Sequence, residues 1–192
     1  MTPREFLDIL HVAERLKDTP RHCTTSARRT ESVAEHSWRV SLMALLLKGE
    51  FPDADMDKVV KMCLVHDLGE CFTGDIPTFV KTDADRDVED SLLARWVRSL
   101  PPEVARELKD LFQEMDAQQT VEARIYKSLD KLEALIQHNE SPLDTWSENE
   151  YGLNKVYAFD TVAFSDWLTG LRKEILADTL AKIAGENPDS NP

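Results

Sequence analysis

The stretch LVHDLGECFTGD, Leu64 to Asp75, sets four proton- or metal-binding side chains at the end of an apolar run. His66 and Glu70 are four residues apart, so continued helical geometry would place them on one face. Asp67 follows His66 directly and reaches the same point only at the helix end. Gly69 would loosen that end and let Glu70 and Asp75 turn back toward it. An imidazole and a carboxylate side by side, with two further acids close behind, suit metal binding coupled to proton transfer. This spacing alone cannot close a coordination sphere. Two more ligands must come from other helices.

His36 and Asp130 are the candidates. Ser32-Val33-Ala34-Glu35 is an S-x-x-E capping box that puts His36 in the first turn of a helix. The helix dipole there disfavours protonation and predicts a neutral imidazole with a lone pair to give. In ARIYKSLDKLEALI, the apolar residues Ile125, Leu129, Leu132 and Ile136 mark a core face. Asp130 sits beside it, where an unpaired carboxylate is costly and a cation removes the cost. Two imidazoles and two carboxylates suit one divalent transition ion (Mn, Co, Zn, Fe or Ni, ahead of Mg) better than calcium. An octahedral ion with four protein ligands keeps positions for water and a substrate oxygen, and acidifies the water. Taken singly, each residue has an ordinary explanation: a capped surface histidine, a histidine bonded to a carbonyl, a helix-end aspartate, an Asp130 paired with Lys127 or Lys131. Taken together, they fit one ordered pattern.

That order, His36, His66-Asp67, Asp130, resembles the HD-domain phosphohydrolase superfamily. RTESVAEHS around His36, VHDLGECFTGDIP from Val65 to Pro77 and SLDKLEA around Asp130 resemble its 5'-deoxynucleotidase branch, over roughly Phe6 to Ile136. The resemblance implies His36, His66, Asp67 and Asp130 as metal ligands. It implies Glu70 and Asp75 as the acids that handle water and its protons. Arg21 matches a phosphate-binding arginine, with Arg28 and Arg29 as nearby substitutes, and Lys81 matches a lysine that helps with phosphate. Related bacterial enzymes carry an aromatic residue just after that arginine, where it helps select deoxyribose. Here the position is His22, so contact with sugar or base is expected and the strictness for 2'-deoxy sugars stays open. The resemblance also implies a homodimer.

The histidines are His11, His22, His36, His66 and His138. None lies between His66 and Asp130, the interval where two-metal relatives of this superfamily place extra histidines. This favours a single metal and a phosphomonoester, a nucleoside 5'-monophosphate. Two other readings stay open. One is a hydrolase of nucleoside di- or triphosphates, and the other is a catalytically silent nucleotide-binding module.

Helices must position these groups. The periodicity predicts a helix opened by the capping box Thr2-Pro3-Arg4-Glu5 and carrying Phe6, Leu10, Ala13 and Leu16. Lys17 to Arg29 reads as a loop. Further helices are expected from Ser32 to Leu47, Asp55 to Leu68, Asp85 to Leu100, Pro102 to Met115, Thr120 to Asn139 and Asp160 to Ala184. Thr73 to Asp83 reads as a loop, and Ser141 to Asp160 is the least readable segment. No convincing strand pair is seen. The expectation is an all-α, single-domain HD-type helical bundle over residues 1–184, with a flexible tail at 185–192.

Bulk composition agrees with an ordinary globule. Of 192 residues, 42% are apolar and 31% charged, which suits one domain with its own core. The formal charge of −13 argues against binding polymeric nucleic acid, which needs a basic face. No apolar run is long enough for a membrane span, and the N-terminus lacks the pattern of a secretory signal. The three cysteines, Cys23, Cys63 and Cys71, lack C-x-x-C spacing and read as reduced thiols of a cytoplasmic protein.

Overall fold

The computed structural model describes residues 1–77 and 80–185. It is dominated by helices. Helix α1 spans Pro3–Ala13 and runs into a 3-10 turn, Glu14–Lys17. Its Thr2–Glu5 capping box forms as expected, with both reciprocal bonds present. A short hairpin follows, β1 (Pro20–Thr24) and β2 (Thr30–Ser32). Then come α2 (Val33–Leu46), α3 (Met56–Val65), α4 (Glu70–Thr73), α5 (Asp83–Ser99), α6 (Pro102–Ala117) and α7 (Val121–Glu140). A 3-10 turn at Leu143–Thr145, α8 (Glu148–Val156), α9 (Phe159–Val162) and α10 (Asp166–Gly185) complete the order.

The core sits where α2, α3 and α7 meet. Val40 and Ala44, Val59 and Met62, and Ile125, Leu129 and Leu132 are fully buried there. Burying one such side chain contributes roughly 1.5–3 kcal/mol. The stripe on α7 is the one expected from the sequence, with Ile136 packed partly buried against the same cluster.

Several expectations need correction. No strand pair is expected from the sequence, yet β1 and β2 pair as a hairpin whose first strand and turn occupy most of the expected loop at 17–29. Its strands carry no apolar alternation, and of β1 only Cys23 is buried. Long-range bonds hold it instead: Arg21 Nε donates to Glu31 across the strands at 3.1 Å, and Gln137 Nε2 on α7 donates to the Thr24 carbonyl at 2.8 Å. Helix α3 stops at Val65 rather than Leu68, and tight turns over 66–69 lead into the single turn of α4. The expected last helix from Asp160 is two helices. The Ser165 hydroxyl accepts from Leu168 N at 3.3 Å and starts α10 afresh after α9. Helix α8 begins where Ser147 N donates to the Glu150 carboxylate, a local S-x-x-E signal in the least readable segment. Of the expected tail at 185–192, Gly185 is the last residue of α10, and 186–192 lie outside the described residues, as do Thr78 and Phe79 within the expected loop at 73–83.

Candidate metal centre and active site

Each candidate metal ligand arrives from a different local structure. Ser32 and Glu35 form the expected capping box, and His36 follows one residue later, fully buried in the first turn of α2. His66 caps the end of α3, and Asp67 opens the turn after it. Asp130 projects from the middle of α7. The four side chains converge. His36 Nε2 lies 3.3 Å from both His66 Nε2 and Asp130 Oδ1. Asp67 Oδ2 lies 3.1 Å from His66 Nε2 and 3.8 Å from His36 Nε2.

The tautomers are set by what the other ring nitrogens do. His66 Nδ1 donates to the Cys63 carbonyl at 2.8 Å, and His36 Nδ1 is hydrogen-bonded to the buried Glu133 carboxylate. Both Nε2 lone pairs therefore face the same point. Asp67 Oδ2 is buried there with no hydrogen-bond partner among the described residues. Two opposed imidazole lone pairs and an unsatisfied carboxylate oxygen are a poor hydrogen-bond arrangement and a good cation cradle. The donor set fits a divalent transition ion.

Electrostatics point the same way. For His36, burial and Arg21 push the pKa down, but Asp130 and Glu133 outweigh them and hold it up to about 9. Without an ion the neighbouring acids favour the protonated ring, and a bound cation would restore the neutral imidazole expected at this helix start. His66 is likewise lifted to about 10, against burial, by Asp67 and Asp130. Asp130 and Asp67 are held well below the carboxylate range, against burial, chiefly by Lys127 and His66 respectively. Carboxylates that stay ionised despite burial and keep protons on two neighbouring imidazoles would hold a divalent cation in place of those protons.

A cavity of about 400 Å³ opens beside the four ligands. Glu70, Asp75, Arg21, His22 and Lys81 all line it, so every substrate or catalytic candidate from the sequence reaches one chamber. Glu70 is buried at the start of α4, and burial, Asp67 and Asp75 raise its pKa to about 9. Gly74, at φ +78°, turns the chain after α4 and sets Asp75 beside it. Gly69 is needed for packing, because a Cβ there would meet Glu89 of α5 at 2.8 Å. Glu70 Oε2 and Asp75 Oδ2 are buried without hydrogen-bond partners among the described residues. Arg21 has its Nε anchored by Glu31, and its Nη1 lies 3.9 Å from Asp67 Oδ2. It stays charged despite burial because Asp67 and other acids outweigh the desolvation.

Other expectations fare differently. Arg28 pairs with Asp144 and Arg29 with Glu35 at the hairpin, so neither substitutes for Arg21 in the cavity wall. Lys81 reaches the wall with its ammonium held by Glu89 at 2.6 Å. Lys127, read from sequence only as an ordinary partner for Asp130, also lines the cavity while donating to Asp130 Oδ2 at 2.8 Å. Sequence reading missed Glu133 and Glu31. Both are buried carboxylates, and both fall inside the motifs that carry the ligands. Glu133 stands three residues after Asp130 between core leucines, a position where an acid needs a partner. Glu133→Gln is expected to weaken metal binding about 10–100-fold while helical circular dichroism stays unchanged. A chelator-competition titration checks this, and equal affinities would remove Glu133 from the site.

The sequence profile described as HD domain matches residues 13–169, most of the chain and all four ligands. The chain belongs to the HD-domain family. This HD-domain protein is 32% identical over 141 residues to the 5'-deoxynucleotidase HDDC2 of Bos taurus, covering 71% of this chain and 68% of that relative. The Homo sapiens 5'-deoxynucleotidase HDDC2 is 30% identical over 141 residues, with the same coverage. Among solved structures, an HD-domain phosphohydrolase from Listeria innocua matches with a TM-score of 0.72 at 24% identity, covering 96% of this chain and 95% of that one. The cyanophage S-2L HD phosphohydrolase DatZ, bound to dA and one catalytic Zn2+ ion, matches with a TM-score of 0.57 at 22% identity, covering 91% and 96%. Both solved structures share the fold of this chain.

Proposed function

We propose that this HD-domain protein is a metal-dependent phosphohydrolase that releases phosphate from nucleoside 5'-monophosphates, deoxy forms foremost. The observation that carries the reading is the convergence of His36, His66, Asp67 and Asp130 beside a cavity that also holds Arg21, Glu70 and Asp75. The curated relatives named as 5'-deoxynucleotidases support the choice of substrate. So does the dA held by the structural neighbour. A cavity of about 400 Å³ suits one nucleotide-sized ligand.

Bound by the four ligands, one divalent ion would acidify water and screen phosphate charge. The chain's own groups do the rest. Arg21, braced through Nε by Glu31, presents its Nη groups to the phosphate oxygens and holds them as charge shifts during transfer. Glu70, with Asp75 beside it, takes the proton from the attacking water. As the water oxygen bonds to phosphorus, the bond to the 5'-oxygen breaks, and the same proton goes to that leaving oxygen.

The protein works in the cytoplasm as a homodimer in this reading. Its three cysteines are buried and unpaired, which suits a reducing compartment. No helix among the described residues is long and apolar enough to cross a membrane. Phe6, Leu7 and Leu10 of α1 and Trp38, Leu45 and Leu46 of α2 are exposed and offer apolar surface to a second copy. Phosphate release measured over ribo- and deoxynucleoside mono-, di- and triphosphates, with the divalent ion varied, tests the reaction. Monophosphates, with deoxy forms ahead, are expected to give the highest kcat/KM. Preference for triphosphates, or nucleotide binding without phosphate release under every ion, would overturn it.

A further inference from the structure

We propose that His22, Cys23, His138 and Glu150 form a second, tetrahedral metal site of zinc-binding type, separate from the HD ligands. The four donor atoms close a ring. Cys23 Sγ lies 3.3 Å from His138 Nε2 and 3.7 Å from His22 Nε2. Glu150 Oε1 lies 3.3 Å from His138 Nε2 and 3.6 Å from His22 Nε2. A tetrahedron with metal–ligand arms of about 2.0–2.3 Å has edges of about 3.3–3.8 Å, and these four of its six edges fall in that range. His22, Cys23 and His138 also lie within 4.8 Å of one another, while Glu150 stands outside that trio and would swing its carboxylate toward Cys23 to complete the set. The two imidazole–carboxylate separations are long for charge-assisted hydrogen bonds, which run about 2.7–2.9 Å.

The surroundings orient each donor. His138 Nδ1 donates to Asn154 Oδ1 at 2.9 Å, so Nε2 is the nitrogen that faces the cluster. Against burial, Cys23 and Glu150 hold the ring up to about 10 without an ion, and a bound ion would displace that proton. Asn154 is itself fully buried. The other Glu150 oxygen accepts from Ser147 N at the start of α8, leaving Oε1 for the cluster. Cys23, His138 and Glu150 are 2%, 7% and 5% exposed, while the His22 side chain keeps 25% and gives an ion a way in. Burial raises the Cys23 pKa, but His138 and His22 outweigh it and bring the thiol down to about 6, within reach of the thiolate a metal needs.

Four protein donors and no open position make a structural site. His22, His138 and Glu150 also line the substrate cavity, so in this proposal His22 holds the ion rather than the sugar or base. It would clip β1 to α7 and α8, elements that come together only in the fold. The clip would fix Arg21, the residue before His22, against the cavity wall. The donor set contains sulfur, and the HD set contains none. This difference makes the two sites separable whatever reaction the HD site performs.

The test is titration of the metal-free full chain with Co2+, read by the thiolate-to-cobalt charge-transfer band in the near ultraviolet. The band is expected in the wild type and in His66→Ala, and is expected to vanish in Cys23→Ser. Elemental analysis after zinc loading should show roughly one equivalent less in Cys23→Ser than in the wild type. Should Cys23→Ser lose its helical circular dichroism, His22→Ala decides, because that side chain is partly exposed. Its cobalt affinity, read from the same band, should fall about tenfold or more. A wild type without the band, a band that survives in folded Cys23→Ser, or unchanged affinity in His22→Ala would each overturn the site and leave a hydrogen-bonded cluster.

Discussion

Glu70→Gln lowers kcat by about 10²–10⁴-fold with metal content unchanged, the expected loss when a general base is removed. The substitution keeps the shape of a side chain only 6% exposed, so the fold should hold. What disappears is the ability to take a proton. Burial first, then the charges of Asp67 and Asp75, holds Glu70 up to about 9. A cation beside Asp67 offsets that charge and brings Glu70 down toward its working range. A base acts only when deprotonated, so kcat/KM should rise with pH along an acidic limb lying below about 9. That limb should flatten in Glu70→Gln. Full turnover in the variant, or an unchanged acidic limb, would assign the proton to another group.

Asp67→Asn should remove the catalytic ion itself. Asp67 Oδ2 is a buried carboxylate oxygen without a hydrogen-bond partner among the described residues, 3.1 Å from His66 Nε2. A neutral carboxamide cannot supply the same charge, and it also weakens the hold on Arg21. Affinity at the HD site should fall by at least about 100-fold and turnover to background. Circular dichroism and Tm separate this from unfolding. A folded Asp67→Asn protein with wild-type metal affinity would show that the ligands act without it.

The sequence displays the site more clearly than its supports. His36, His66, Asp67 and Asp130 lie in helices or at their ends, where capping boxes and the α7 stripe leave local marks. The hairpin carrying Arg21 left no such mark. Its strands are five and three residues long, and their order comes from Glu31 and Gln137 rather than from an apolar pattern. Glu133 was hidden for another reason. Its burial is decided by the His36 ring, 97 residues away in sequence, and no local period records that contact. The break between α9 and α10 was missed because Ser165 restarts the helix without a glycine or proline to announce it. His138 gave no chemical signal in sequence, because its partners sit on β1 and α8.

Helix α7 supplies Asp130, Glu133, Gln137 and His138, so it fastens the pocket from several sides. During translation, Arg21, His36, His66 and Asp67 leave the ribosome long before any of these do. The nascent N-terminal portion therefore holds an incomplete set of ligands and a hairpin that lacks its α7 anchor at Gln137. Three of the four candidate ligands, His36, His66 and Asp67, are thus made first, and the pocket is complete only when α7 brings Asp130 and Glu133.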